Sequence, residues 1–188
     1  MRASRLMLWA RLAIAAAAEA CAVRLGALQM PQNTPHADRM RVLADFARQA
    51  ASERVDVAVT PDCWLPTSVN GSAISELAAS HSVALIVSSC TDASSLLRLA
   101  DSQGNTAVEY PRRKDSADTP TGDVGGAPVV SIATAGCAGG VSLGLLQQAD
   151  LLFMEVARTQ MLDGAEVFLS PASVALNLSQ LNLGRLVR

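Results

Sequence analysis

Two short, nearly continuous apolar runs constrain this chain most: Val55-Asp-Val-Ala-Val-Thr60, stopped by Pro61, and Val83-Ala-Leu-Ile-Val-Ser88. Both are β-branched and bounded, as buried strands are. Helical patterns precede each of them. Thr34-Pro35 predicts a helix start, with Thr34 as hydroxyl N-cap and proline at the first helical position. Val42, Leu43, Phe46, Ala47 and Ala50 then recur at helical spacing and make one apolar face. A shorter helical segment from Ile74 to Ser80 leads into the second run. Buried strands alternating with amphipathic helices specify a mixed α/β chain.

The remaining pattern is richer in strands. Arg24-Leu-Gly-Ala-Leu-Gln29 reads as a buried strand. Leu96–Ala100 and Thr106–Tyr110 flank Asp101-Ser-Gln-Gly104-Asn105, a hairpin with a glycine turn. Asp115 to Pro128 has loop composition. Val129–Ala133 and Val141–Leu146 form a second hairpin around Gly136-Cys-Ala-Gly139-Gly140. That glycine cluster reads as a turn, because it lacks the spacing of a phosphate cradle and a strand comes after it. Asp150 is placed to cap a helix from Leu151 to Leu162, and Asp163-Gly164 to close it. Glu166–Ser170 is the next strand. No repeat or linker marks a second folded unit.

Composition removes several function classes. A net charge of −2 and only 3% aromatic residues give no electrostatic or stacking basis for a nucleic-acid partner. Arg39, Arg41, Arg48 and Arg54 read as solvated surface charges. Cys21, Cys63, Cys90 and Cys137 are unevenly spaced without a C-x-x-C, which argues against a disulfide framework or a zinc site and for small buried hydrophobes. Two histidines, His36 and His81, leave little material for a histidine metal cluster or a Ser-His-Asp relay. No cofactor and no metal are expected.

Residues 1–22 stand apart from the domain expected over 23–188. They carry Arg2, Arg5 and Arg11 and no acid before Glu19. This reads as a mitochondrial-type presequence, a secretory signal weakened by Arg11, or an ordinary N-terminal extension. The expected destination is mitochondrial or cytoplasmic. No later segment has the length and apolarity of a membrane span.

One stretch carries a resemblance. Gly144-Leu-Leu-Gln-Gln148-Ala-Asp150-Leu-Leu-Phe153-Met-Glu155 is succeeded by Gly164-Ala165-Glu166 and Pro171-Ala-Ser173. This resembles the nucleophile segment of the nitrilase (carbon–nitrogen hydrolase) superfamily, without a gap from Gly144 to Pro171. That segment reads Gly, three mostly apolar residues, Cys, any residue, Asp, two variable, Phe, Pro, Glu, then Gly-Ala and Pro-Ser. The strand from Arg24 to Met30 and the Pro61-Asp62 strand end extend the likeness over Val23 to Arg188, and it looks most like the amidase-type branch (Nit and ω-amidase-like proteins). The resemblance implies an α-β-β-α sandwich, here expected to be truncated at the C-terminus.

It also implies a chemistry. In the family a cysteine thiolate attacks the carbon of a small nitrile, amide or carbamoyl compound, a glutamate shuttles protons, and a lysine stabilises the tetrahedral anion. By resemblance, Asp62 stands at the glutamate position. Ungapped counting from Tyr110 puts Arg112 at the lysine position, whereas matching residue type selects Lys114. Gln148 stands at the cysteine position, and an amide side chain cannot form the thioester. The N–H of Ala149, beside Asp150, would be an oxyanion donor. The expectation is an impaired carbon–nitrogen hydrolase with a pocket for a small amide or carboxylate, self-associating through the helix Leu151–Leu162, with no nucleic-acid or membrane partner. The alternatives are an active amidase with an atypical residue set, in which Cys63 would supply the thiol, a non-catalytic small-molecule-binding or assembly protein, and an unrelated α/β domain.

Overall fold

A computed structural model describes residues 9–14, 21–29, 34–91, 94–113, 128–147, 150–151 and 154–172; for 9–14, 21, 112, 113 and 138 the backbone alone is described. The elements are β1 (Trp9–Ile14), β2 (Cys21–Ala27), α1 (His36–Ser52), β3 (Val57–Val59), β4 (Leu65–Pro66), α2 (Gly71–His81) and β5 (Ala84–Cys90). They continue with β6 (Ser94–Ala100), β7 (Thr106–Arg113), β8 (Val129–Thr134), β9 (Cys137–Leu145), α3 (Met154–Leu162) and β10 (Val167–Leu169). The two apolar runs become β3 and β5, which pair in parallel.

Two sheets result. The larger runs β1-β2-β3-β5-β6-β7, with the short β4 added to β5. The smaller runs β10-β9-β8. Strand alternation then sorts the apolar side chains into two cores. Val57, Ala84, Ile86, Leu97 and Leu99 meet Val141, Leu143, Leu145 and Val167 of the smaller sheet. Ala58, Leu85, Val87 and Ala100 face the other way, onto Val42, Leu43, Phe46 and Ala47 of α1 and Ile74 and Ala78 of α2. Burying each such aliphatic side chain stabilises the fold by about 1.5–3 kcal/mol. On the far side of the smaller sheet, Gln160 of α3 lies against β9, its Nε2 donating to Leu145 O at 2.8 Å. The layers are therefore helix, sheet, sheet, helix, the expected α-β-β-α sandwich.

The buried residues of α1 are Val42, Leu43, Phe46, Ala47 and Ala50, the face its periodicity predicts. Its start differs. Pro35, not Thr34, is the N-cap, at φ −55° and ψ 142°, with no side-chain cap bond. The ring fixes φ without committing ψ, so proline serves just outside the helix as readily as just inside it. The second hairpin is also tighter than expected. Its turn is Ala135-Gly136, and Gly139 and Gly140 belong to β9. Gly140 has φ +75°, and a Cβ there would meet Ile132 O at 2.6 Å. It lies where the β8–β9 register shifts, so it forms a bulge and not a turn. The expected loop 115–128 lies outside the described residues except for Pro128. Strand β1 falls within the segment read as a leader or extension and pairs antiparallel with β2.

Candidate functional site

Strand β3 delivers the first component. Thr60 N donates to Ile86 O at 2.9 Å, and then Pro61, which has no N–H, ends the ladder. The chain turns through Asp62 and Cys63, with Cys63 in the left-handed region at φ +53°. A non-glycine residue there costs on the order of 1 kcal/mol, so something must hold it. Ser88 on β5 does much of this. Its Oγ donates to Asp62 Oδ1 at 2.6 Å and accepts from Cys63 N at 3.1 Å, while its N donates to Thr60 Oγ1 at 3.2 Å.

A disulfide between Cys63 and Cys90 completes the corner, with the Cα atoms 4.8 Å apart. Cys137 is disulfide-bonded as well. Among the described side chains, Cys63, Cys90 and Cys137 are thus cross-linked, contrary to the expectation from their spacing. The reason is tertiary: the corner folds over the end of β5, and 27 residues of separation carry no sign of that approach. Cys63 Sγ lies 3.5 Å from Asp62 Oδ2. A bonded sulfur has no proton to donate, so this is a contact and not a hydrogen bond. For the same reason Cys63 offers no thiolate in this state, which removes it as a substitute nucleophile while the bond stands.

Arg39 also departs from expectation. Its Nε donates to Thr34 O at 3.2 Å and its Nη1 to Trp64 O, so it pins the corner to the start of α1. Arg41 and Arg48 do face solvent. Arg41 pairs with Asp38 at 3.2 Å, and Arg48 pairs with Asp45.

The second component comes directly after β9. Gln147 N donates to Asp150 Oδ2 at 2.7 Å, and Asp150 N donates to Gln147 O at 2.8 Å. This reciprocal pair resembles a capping box, with Gln147 in the cap place and the Asp150 carboxylate reaching back to it. Asp150 is therefore not the cap itself, contrary to expectation. The turn Asp150–Leu151 is 3₁₀, and α3 begins only at Met154, later than the predicted Leu151. Both ends of the Gln147 amide are bonded: Nε2 donates to Tyr110 O at 2.7 Å, and Oε1 accepts from Ser95 Oγ. Tyr110 OH donates to Asp150 Oδ2 at 3.4 Å.

Sheet register shows how near the two components are. Ser88 pairs with Leu97, and Leu97 with Tyr110. Two rows along, Cys90 pairs with Ser95, and Ser95 with Arg112. Two strand spacings separate the outer members of each row, about 10 Å. The corner carrying Asp62, the backbone position of Arg112 and the turn after β9 therefore gather at one end of the sandwich, beside the carboxyl ends of β3, β5 and β9. Ligands of open α/β sheets commonly bind at such strand ends.

The glycine of the nucleophile-like segment has a packing role. A Cβ on Gly144 would lie 2.8 Å from Phe168 Cδ1 and 2.9 Å from Gln160 Oε1. Its absence lets α3 lie flat on β9.

Of the residues singled out from sequence, Asp62 and Asp150 are described in full and Arg112 by its backbone. Lys114, Gln148 and Ala149 lie outside the described residues. Gln148 is bonded to Gln147, so its chain neighbour is anchored to Ser95 and Tyr110. The residues that sequence reasoning missed are Ser88, Ser95, Cys90 and Gln147. Ser88 left a trace, as a hydroxyl closing an otherwise apolar run. Ser95 and Cys90 left none.

No family model and no curated protein sequence matches the chain. Solved structures do. A mutant of the Nesterenkonia AN1 amidase from the nitrilase superfamily superposes with a TM-score of 0.62 at 20% identity, covering 84% of this chain and 67% of that one. A double mutant of the same amidase in complex with acrylamide gives 0.62 at 20%, covering 82% and 66%. A carbon–nitrogen hydrolase from Helicobacter pylori G27 gives 0.63 at 21%, covering 86% and 64%. The chain thus spans about two thirds of the length of these proteins. This chain has the fold of the nitrilase-superfamily amidases and carbon–nitrogen hydrolases.

Proposed function

We propose that the chain is a carbon–nitrogen hydrolase by descent whose pocket still accepts a small amide or carboxylate but whose hydrolytic step is largely lost. The observation that carries this reading is the gathering of the Asp62 corner, the Arg112 position and the turn preceding Gln148 at one end of a nitrilase-type sandwich. Asp62 keeps a carboxylate for proton transfer. It is one methylene shorter than glutamate, which withdraws the oxygens by about 1 Å, and a misplacement of that size can cost about 10²-fold. Gln148 supplies no nucleophile, and losing the nucleophile of a coupled triad costs on the order of 10⁶ in turnover. The amidase from Nesterenkonia sp. AN1, by contrast, has an active-site cysteine, to which acrylamide adds in one of its mutants.

The test is calorimetric titration of the full chain with short aliphatic amides and their acids, alongside an ammonia-release assay. Saturable binding with no measurable ammonia supports the reading. Turnover near that of an ordinary amidase would replace it with the active alternative. Absence of both binding and turnover would leave a scaffold.

A second role, in assembly, has its own support. Met154 (83% exposed), Leu162 (76%) and Met161 (59%) present apolar side chains on α3. Such a patch on a helical layer suits burial against a second copy of the chain. Light scattering of the full chain should give a dimer, and Met154→Lys with Leu162→Lys should give a monomer. A monomeric unmodified chain would end this reading.

A further inference from the structure

The geometry points to the Asp62 corner as a redox-gated site for a thiophilic divalent cation of the zinc type. In the oxidised chain Cys63 and Cys90 are bonded to each other. The donor atoms of Asp62, Cys63 and Cys90 all lie within 4.8 Å of one another, and all three residues are half-exposed. This is a pair of thiol-bearing residues with a carboxylate already aimed at them, not an acidic cluster. Ser88 Oγ holds Asp62 Oδ1 at 2.6 Å, which leaves Oδ2 facing the Cys63 sulfur at 3.5 Å. A ligand carboxylate oriented by a neighbouring hydroxyl is how metal sites fix their donors.

The chemistry balances with a dithiol as reductant. Its two thiols give two electrons and two protons and close to a disulfide, the Cys63–Cys90 bond breaks, and both sulfurs end as thiols. The cation then displaces the two thiol protons and takes two thiolates and one carboxylate oxygen. Zinc accepts that donor set, at about 2.3 Å from sulfur and about 2.0–2.2 Å from oxygen, and the fourth position falls to water. Two thiolates select against magnesium and calcium, which prefer all-oxygen sites.

The backbone needs little adjustment. The Cα atoms are 4.8 Å apart, so side-chain rotation can open the sulfurs to a shared ion. The β4–β5 pairing of Leu65 with Ser89 and Pro66 with Cys90 keeps the two segments together without the cross-link. The site shares Asp62 with the hydrolase reading but requires neither an amide ligand nor Gln148, so cobalt binding tests it without reference to hydrolysis.

Cobalt(II) is the probe, added to the full chain before and after reduction by a phosphine, which takes oxygen from water and leaves the thiols free. Thiolate-to-cobalt absorption in the near ultraviolet should appear only after reduction, at one ion per chain, and zinc should displace it. Cys63→Ser and Cys90→Ser should each abolish the band, and Asp62→Asn should weaken binding at least about tenfold. On the unmodified reduced chain, zinc should protect Cys63 and Cys90 from alkylation, read by peptide mass spectrometry, and leave Cys137 as reactive as before. If the serine variants fail to fold, this protection pattern decides alone. No band after reduction, a band that survives Cys63→Ser, or zinc protection confined to other cysteines would each overturn the proposal.

Discussion

The corner after β3 is held by other elements alone, whereas the turn after β9 adds a reciprocal pair of its own to its anchors on Ser95 and Tyr110. At the corner, Ser88 and Cys90 of β5 and Arg39 of α1 fasten Asp62, Cys63 and Trp64, and Asp62 stays half-exposed. At the turn, Gln147 and Asp150 bond reciprocally and are both buried. The difference separates chemistry from scaffolding. A half-exposed carboxylate beside two sulfurs can exchange protons, electrons or metal with solvent. A buried amide and carboxylate whose hydrogen-bonding groups answer one another can only position the neighbouring residue, and that residue is Gln148.

The largest expected effect tests that division directly. Asp62→Glu combined with Gln148→Cys places the missing thiol beside the scaffolding pair and restores the longer carboxylate at the corner. Ammonia release from short aliphatic amides should rise at least about 10³-fold over the unmodified chain, part of the roughly 10⁶ that a lost nucleophile costs. A folded double variant with no gain would mean that the turn does not aim Gln148 at the corner, and the comparison would fail.

Next in size is the covalent bond at the corner, which the turn lacks. Replacing Cys63 and Cys90 together by serine releases a loop closed over a separation of 27 residues, a loss of about 3.5 kcal/mol in the chain-entropy account. Denaturant unfolding of the double variant should show a lowered midpoint. An unchanged midpoint would mean that Ser88 and Arg39 suffice, and that the corner resembles the turn more than the cross-link suggests.

How much of this is legible in the sequence depends on the range of the forces involved. The five buried residues of α1 and the two apolar runs are legible, because periodicity is a local record of burial. The β6–β7 hairpin is legible from Asp101 to Asn105 for the same reason. The Cys63–Cys90 bond and the Ser95–Gln147 bond join residues far apart in the chain, and neither partner differs locally from an ordinary core or surface residue. Asp150 fits a cap by type and place. Its true role, reaching back to Gln147 N, depends on where the helix starts, which local propensity leaves uncertain by a residue or more. At the candidate site, the segments that matter are readable through resemblance, while the bonds that gather them are not.

A smaller effect concerns the turn. Asp150→Ala removes the acceptor of the buried Gln147 N–H, and an unsatisfied buried donor costs about 1–3 kcal/mol. Asp150→Asn keeps an acceptor oxygen and should lose less. Thermal unfolding of the pair measures the gap. Equal losses would show that charge matters there, and that the turn is less purely geometric than its contrast with the corner requires.

The smallest effect uses a third turn as the reference for both. Asp101 closes the β6–β7 hairpin, accepting at Oδ1 from Gln103 N and Asn105 N, both at 2.9 Å, and at Oδ2 from Asn105 Nδ2 at 3.0 Å. Partial burial works to raise its pKa, but the hydrogen bonds from Asn105, Gln103 and Gly104 outweigh it and hold the carboxyl below its ordinary value of 3.8. A folded-state pKa below the unfolded one gives stability that is complete above the unfolded value and fades as pH falls through the folded value. Asp101→Asn should therefore be less stable than the unmodified chain near neutrality, and the difference in Tm should narrow on acidification below about pH 4. This hairpin is a carboxylate-centred turn of local donors, whereas the carboxylate after β9 accepts from both the local Gln147 N and the distant Tyr110 OH, and the hairpin is removed from the site end of the sandwich. If the difference in Tm holds constant with pH, the donors stabilise Asp101 through shape and not through charge, and the same reading would then extend to the turn that precedes Gln148.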